Sequence, residues 1–361
     1  MDTLTHALSG ALAGRLLVAH GARRSPAALP PWQAMAAGAL AAAFPDLDFV
    51  LAYVSELTYL RGHRGVTHSL LLWPAWGLAL AWLLAALSRR AGRGGAHWRE
   101  FYAIACAGLL IHIAGDLITQ FGTMILAPLS DRRFGLGTTF IIDLAVSGLL
   151  LAGLAASAWW RASRVPAALA LAAVTGWVGL GWVARGEALA VGQAYAARQG
   201  IAAPLVDAAP RPASPFNWTV IVIDGERYHY AHINTRRRVA LAASEADGFI
   251  RRLSAPYLPV HQAQWQVRGR FGDDGTQALA RAVWQAEDFA FYRWFAMFPV
   301  LDHAERSATA GAGCAGFRDL RFETPGRDAL PFRYGLCGGA EAGGWRLYGM
   351  EATGRRWIGS D

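Results

Sequence analysis

The chain has 361 residues, 54% of them hydrophobic and only 17% charged, a balance that argues against an ordinary soluble globular protein. Its net charge of +8 rests on 34 basic residues, all arginine, dispersed around apolar runs rather than gathered into a nucleic-acid-binding stripe. Three cysteines with no C-x-x-C pair speak against thiolate metal chemistry.

A helix that crosses a bilayer core needs about 20 apolar residues. The N-terminus lacks a basic region and a small-x-small cleavage site, so its apolar stretch is expected to stay attached. Helices are predicted at roughly 4–19, 33–52, 66–87, 101–119, 139–160 and 165–184, the first short enough to be re-entrant. Trp and Tyr at several ends suit interfacial belts. The loops after the first, third and fifth helices hold Arg23, Arg24, Arg89, Arg90, Arg93, Arg99, Arg161 and Arg164, whereas those after the second and fourth hold Arg61, Arg64, Arg132 and Arg133. The arginine-rich set is expected in the cytoplasm, which puts both termini outside.

The predicted domains are a transmembrane helical domain over 1–186, a linker over 187–215 and a small α+β extramembrane domain over 216–361. In the last, NWTVIVIDGERYHYAHI reads as two strands around Asp224-Gly225. A helical or mixed stretch follows at about 276–296, then strand-like pieces FRDLRFE, PFRYGLC and WRLYGM. Cys314 and Cys337 fall in this domain and can pair if it lies outside the reducing cytosol.

Four segments place ionisable residues in or beside apolar helices, where a charge facing lipid costs at least about 2.5 kcal/mol. They are MDTLTHALSG (Asp2, His6), FPDLDF (Asp46, Asp48), RGHRGVTHS (His63, His68) and LLIHIAGDLIT (His112, Asp116). On the arginine-derived topology all eight, and Asp143 at the start of the fifth helix, fall on one membrane face. Imidazole and carboxylate are the ligands of zinc and related ions. His112 and Asp116 are four apart and share a helix face. Pro45 breaks the helix end that carries Asp46 and Asp48. Arg132 and Arg133, in the loop after the fourth helix, can hold a phosphate. Taken singly, His112 with Asp116 also suits an interhelical hydrogen bond, FPDLDF a solvated helix end, His63 a solvated loop, and Asp2 and Asp143 helix-start carboxylates.

The motifs MDxLTHALSG, FPDLDF, HRGVTHSLL and HIAGDLITQFGTxILAPLSDRRF, within residues 1 to about 145, resemble the YdjM-like family of membrane-bound, metal-dependent hydrolases. The resemblance implies a helical membrane domain in the bacterial inner membrane, a hydrolase activity and a distant similarity to zinc-dependent phospholipase C and the fungal zinc nucleases. By that similarity His112 and Asp116 stand in an HxxxD position and Asp46 resembles a metal-bridging Asp. His6, His63 and His68 would be further ligands. No HxxxE pair is present, which favours one or two ions, zinc or manganese, over three.

The expected function is therefore a phosphoesterase acting on a lipid or lipid-linked substrate at the outer face. Asp48 is the expected general base, with Arg132 or Arg133 on the substrate anion. The rival readings are an ion- or proton-handling transporter, a non-enzymatic protein with a structural metal, a b-type haem protein, and a C-terminal domain that works while the helices anchor it.

Overall fold

In a computed structural model, residues 1–18, 29–91, 97–272, 275–306, 313–326, 330–339 and 344–359 are described. Arg23, Arg24 and Arg93, used above to orient the helices, lie outside them. The chain divides into two compact units, Met1–Ala184 and Arg185–Asp361.

The first unit is helical: α1 (Thr3–Leu17), α2 (Pro31–Ala43), a 3-10 segment (Pro45–Tyr53), α3 (Glu56–Gly62), a short 3-10 turn (Val66–His68), α4 (Trp73–Arg90), α5 (Trp98–Leu117), α6 (Leu144–Trp159) and the beginning of α7 (Val165–Arg198). Among the described residues two helices, α5 and α7, are long and apolar enough to cross a membrane. Four spans result if each bent pair counts as one: α2 with the 3-10 segment, bent by 44°, and Glu56–His68 with α4, bent by 83°. The first bend follows from Pro45, which removes a backbone donor and clashes with the preceding turn.

Small residues let α1, α2 and α5 meet backbone to backbone. A Cβ built on Gly10 would overlap the Gly38 carbonyl oxygen and the Ala42 Cβ, and one on Gly14 the Ala34 carbonyl. On α5, a Cβ at Gly108 would lie 2.8 Å from both the Gly38 oxygen and the Ala41 Cβ. Without a hydrophobic driving force between helices in lipid, such close van der Waals contact is a main source of cohesion.

The stretch 187–215, expected as a linker, instead holds the end of α7 and the strand β1 (Leu205–Pro210). The Ala-rich segment up to Arg198 contains no proline and tolerates Gly192 within the helix, which ends where Gly200 takes the left-handed φ of +66°.

In the second unit the Asp224-Gly225 turn joins β2 (Asn217–Asp224) to β3 (Arg227–Asn234) as the sequence predicts, with Asp224 opposite Arg227. β1 and β5 (Gln266–Gly269) pair with β2 and β3 respectively, both antiparallel, and β4 (Leu258–Pro259) runs parallel to β3. A second sheet is an antiparallel meander of β6 (Pro299–Arg306), β7 (Gly313–Asp319), β8 (Tyr334–Gly339), β9 (Gly344–Glu351) and β10 (Gly354–Trp357). Ile221, Tyr228 and Tyr230 from the first sheet share a core with Phe298, Val300 and Leu320. Helices α8 (Phe249–Ser254), α9 (Gln277–Gln285) and α10 (Ala290–Phe295) complete the unit. Cys314 and Cys337 stand opposite each other in β7 and β8 and are disulfide-bonded.

A buried polar chain crosses the first sheet. Arg211 Nε donates to Thr219 Oγ1 (2.6 Å), so the Thr219 hydroxyl proton is free to serve His232 Nδ1 at 2.8 Å. His232 is thereby held neutral: burial, and then the Arg211 charge, lower its pKa to about 3.

Candidate metal centre

The ligand candidates converge where α1, α5 and the Pro45 bend meet. His6, Asp46, His112 and Asp116 each offer a ligand atom, and these atoms all lie within 4.8 Å of one another. His6, His112 and Asp116 are buried, while the Asp46 side chain keeps 15% of its surface open. The His6 ring stacks on that of His112 with centroids 3.8 Å apart.

Each group is oriented by a neighbour. His112 Nδ1 donates to the Ala42 carbonyl at 2.6 Å, which leaves its Nε2 lone pair pointing into the cluster. Asp46 Oδ2 accepts from Thr3 Oγ1 at 2.6 Å. Asp116 Oδ1 pairs with Arg64 Nη2 at 2.9 Å, lies 3.2 Å from His6 Nε2 and meets the Met1 amino group. Asp116 Oδ2 sits 3.2 Å from His68 Nε2 and 3.4 Å from His112 Nε2 yet makes no well-formed hydrogen bond, and His6 Nδ1 is likewise buried without one.

The residues fit a divalent ion. Ligand atoms on a tetrahedral ion with bonds of about 2.1 Å are about 3.4 Å apart. The His112 Nε2 to Asp116 Oδ2 and His112 Nε2 to Asp46 Oδ1 separations are 3.4 and 3.7 Å. Among the described charges, the three carboxylates Asp46, Asp48 and Asp116 face Arg64 and the Met1 amino group, an excess of negative charge that a cation would balance.

The other candidates fall around this group. His68 Nε2 is 2.9 Å from His112 Nε2, with its Nδ1 2.9 Å from Thr67 Oγ1. Asp48 is buried; its Oδ1 meets His63 Nδ1 at 2.9 Å and its Oδ2 accepts from the Arg64 backbone N–H at 2.9 Å. Asp2 is not brought into the cluster. It caps α1 and accepts from the Thr5 N–H (3.0 Å) and hydroxyl (2.6 Å). Asp143 caps α6 in the same manner, its second oxygen taking Trp177 Nε1 at 3.0 Å. Arg132 lies over Phe134 and Arg133 over Phe121, whose ring also carries Arg64 at 4.9 Å and touches His63 edge-on.

Arg64 is the participant that the sequence reading did not single out. It is buried and holds a left-handed φ of +59°, so that its backbone binds Asp48 while its guanidinium reaches Asp116 and Thr119 Oγ1 (3.0 Å). In the sequence it serves only as one of the loop arginines that orient the helices. The available signal was the tight His-Arg-Gly run itself, where glycine permits a close turn: a Cβ on Gly65 would lie 2.7 Å from the Gly62 carbonyl.

Fold and site together define a helical membrane protein whose polar cluster can hold a metal ion. The chain belongs to the YdjM inner membrane protein family, whose model matches residues 1–188. It is also 26% identical over 166 residues to the uncharacterized protein YfhP of Bacillus subtilis (strain 168), covering 46% of this chain and 48% of that protein, so it spans about half the length of that relative. No solved structure matches.

Proposed function

We propose that the chain is a membrane-bound, metal-dependent hydrolase, a phosphoesterase whose substrate is a lipid or lipid-linked phosphate at the non-cytoplasmic face. The observation that carries this reading is the convergence of His6, Asp46, His112 and Asp116 with buried, unpartnered ligand atoms among them. The chemistry a divalent ion supplies when bound is polarisation of the phosphoryl oxygen and acidification of a water molecule to a pKa of about 7.

The chain's own groups divide the remaining work. Asp48, first expected as the base, is engaged by His63 Nδ1 and the Arg64 N–H. It therefore orients His63, whose Nε2, on a side chain 18% exposed, is the better proton acceptor. Arg133, one aromatic ring from Arg64, takes the substrate anion. The Cys314–Cys337 disulfide and the arginine distribution support a non-cytoplasmic second unit.

The test is metal analysis of the purified full chain in detergent, followed by hydrolysis of bis(p-nitrophenyl) phosphate and phospholipids with zinc or manganese. About one or two ions per chain and turnover that both disappear in Asp116→Ala support the proposal. Metal-free wild-type protein after loading would overturn it. The near-complete burial of His6, His112 and Asp116 favours a second reading, a structural ion, which stoichiometric metal without any hydrolysis would select.

A further inference from the structure

The second unit contains a cationic cavity of about 670 Å³ that the hydrolase reading does not use. Its wall carries Arg198, Arg237, Arg238 and His261, with no carboxylate among the lining residues. Arg237 is structural: its guanidinium donates to the Ser254 and Tyr257 carbonyls at 3.0 and 2.6 Å and to Ser254 Oγ at 2.8 Å. Arg198 and Arg238 are exposed and, among the described residues, hold no carboxylate. Arg198 in the last turn of α7 complements the helix end, but this does not account for Arg238. The hydroxyl of Thr235, also on the wall, is buried and makes no hydrogen bond. One side of the cavity is a flat aromatic face, Trp265 stacked on Tyr195 at 3.7 Å and 12°.

We propose that this cavity binds a phosphate group. Two free guanidiniums and a waiting hydroxyl are the donor set that a tetrahedral oxyanion satisfies, and an arginine fork matches its geometry. Val239, next to Arg238 in the chain, is exposed, and α8, whose Ser254 accepts from Arg237, opens with Phe249 and Ile250, both more than half exposed, so a phospholipid headgroup and a soluble phosphate are both admitted as sources. The proposal does not depend on the metal-site reading.

The experiment uses the full chain in two arms, both with EDTA to silence the metal centre. Inorganic phosphate is titrated calorimetrically into detergent-solubilised protein, and retention of phosphatidylglycerol against phosphatidylcholine is read by native mass spectrometry. Binding in either arm that falls tenfold or more in Arg198→Ala/Arg238→Ala, is weakened in Thr235→Val, and persists in Asp116→Asn is the expected result. Response in the lipid arm alone assigns a headgroup, and in the phosphate arm alone a soluble ligand. Absence of binding in both arms, or binding that the arginine pair does not alter, overturns the proposal. The two arginines hold nothing else in the wall, and an unchanged thermal midpoint for the double variant shows that its fold is intact.

Discussion

The Nε2 atoms of His68 and His112 face each other at 2.9 Å, and the His112 tautomer is set by its Nδ1–H bond to the Ala42 carbonyl. Two imidazoles in this attitude either share a proton or direct lone pairs at a common ion. His112→Ala is expected to abolish stoichiometric metal, and His68→Ala, beside the four-residue group, to weaken it by about 10–100-fold. Metal content after dialysis against graded chelator checks both. Equal retention by wild type and His112→Ala would remove His112 from the site.

Arg64 and the Met1 amino group are the buried counter-charges of Asp116. Replacing Arg64 by Met leaves the carboxylate with the amino group alone, a loss of up to about 3–5 kcal/mol for a broken buried pair. The thermal midpoint of the metal-free protein should fall, and zinc should restore part of it because the ion takes over the charge. Arg64→Met/Asp116→Asn should recover stability without zinc and gain nothing from it. A midpoint in Arg64→Met equal to wild type would contradict the pairing.

Gly10 and Gly38 touch no ligand, yet a side chain at either meets the opposing backbone. Gly10→Val and Gly38→Val are expected to destabilise by about 1–3 kcal/mol through overpacking and to lower metal occupancy. Gly148, with open space around it, is the control: Gly148→Ala should leave both quantities unchanged. Full occupancy in Gly10→Val would show that the helix contact does not position His6.

In the second unit, the His232 pKa of about 3 lies below the value near 6.5 of an unfolded histidine. Between those values the unfolded chain binds a proton that the folded chain does not. His232 therefore stabilises the fold fully above about pH 6.5, and that contribution is lost as pH falls toward 3, with a limiting slope of about 1.4 kcal/mol per pH unit. His232→Gln should flatten the curve in this window when unfolding is followed by Trp fluorescence. An unchanged slope would free His232 from the Thr219–Arg211 chain.

The Cys314–Cys337 bond closes a 23-residue separation. Loop entropy assigns such a crosslink about 3 kcal/mol. Reductant should lower the denaturation midpoint of the second unit by a matching amount, and the Cys314→Ser/Cys337→Ser variant should be insensitive to reductant.

The apolar runs announced the main helices because lipid admits so few alternatives, and ionisable residues inside those runs pointed to His6, Asp46, His112 and Asp116 for the same reason. Asp2 and Asp143 looked alike in sequence and turned out to cap helices, since a carboxylate before a helix can satisfy free N–H groups without any ion. Arg64 was illegible because a charged residue in a glycine-flanked loop reads as solvated; only the folded turn reveals its burial. The helical course of 187–198 was hidden by rising charge, which marks the end of apolar helix and not of helix itself.

The three glycines where α1, α2 and α5 touch stand at a telling height. Gly10 follows His6 by four residues and Gly108 precedes His112 by four, so each imidazole rides about 6 Å along its helix from the point of contact. That point is a fulcrum and the distance a short lever arm: a tilt of about 10° would carry an imidazole about 1 Å, against the roughly 0.2 Å latitude of a coordination bond. With no side chains cushioning the crossing, selectivity for one ion radius over another would be tuned from below, by residues that never meet the ion.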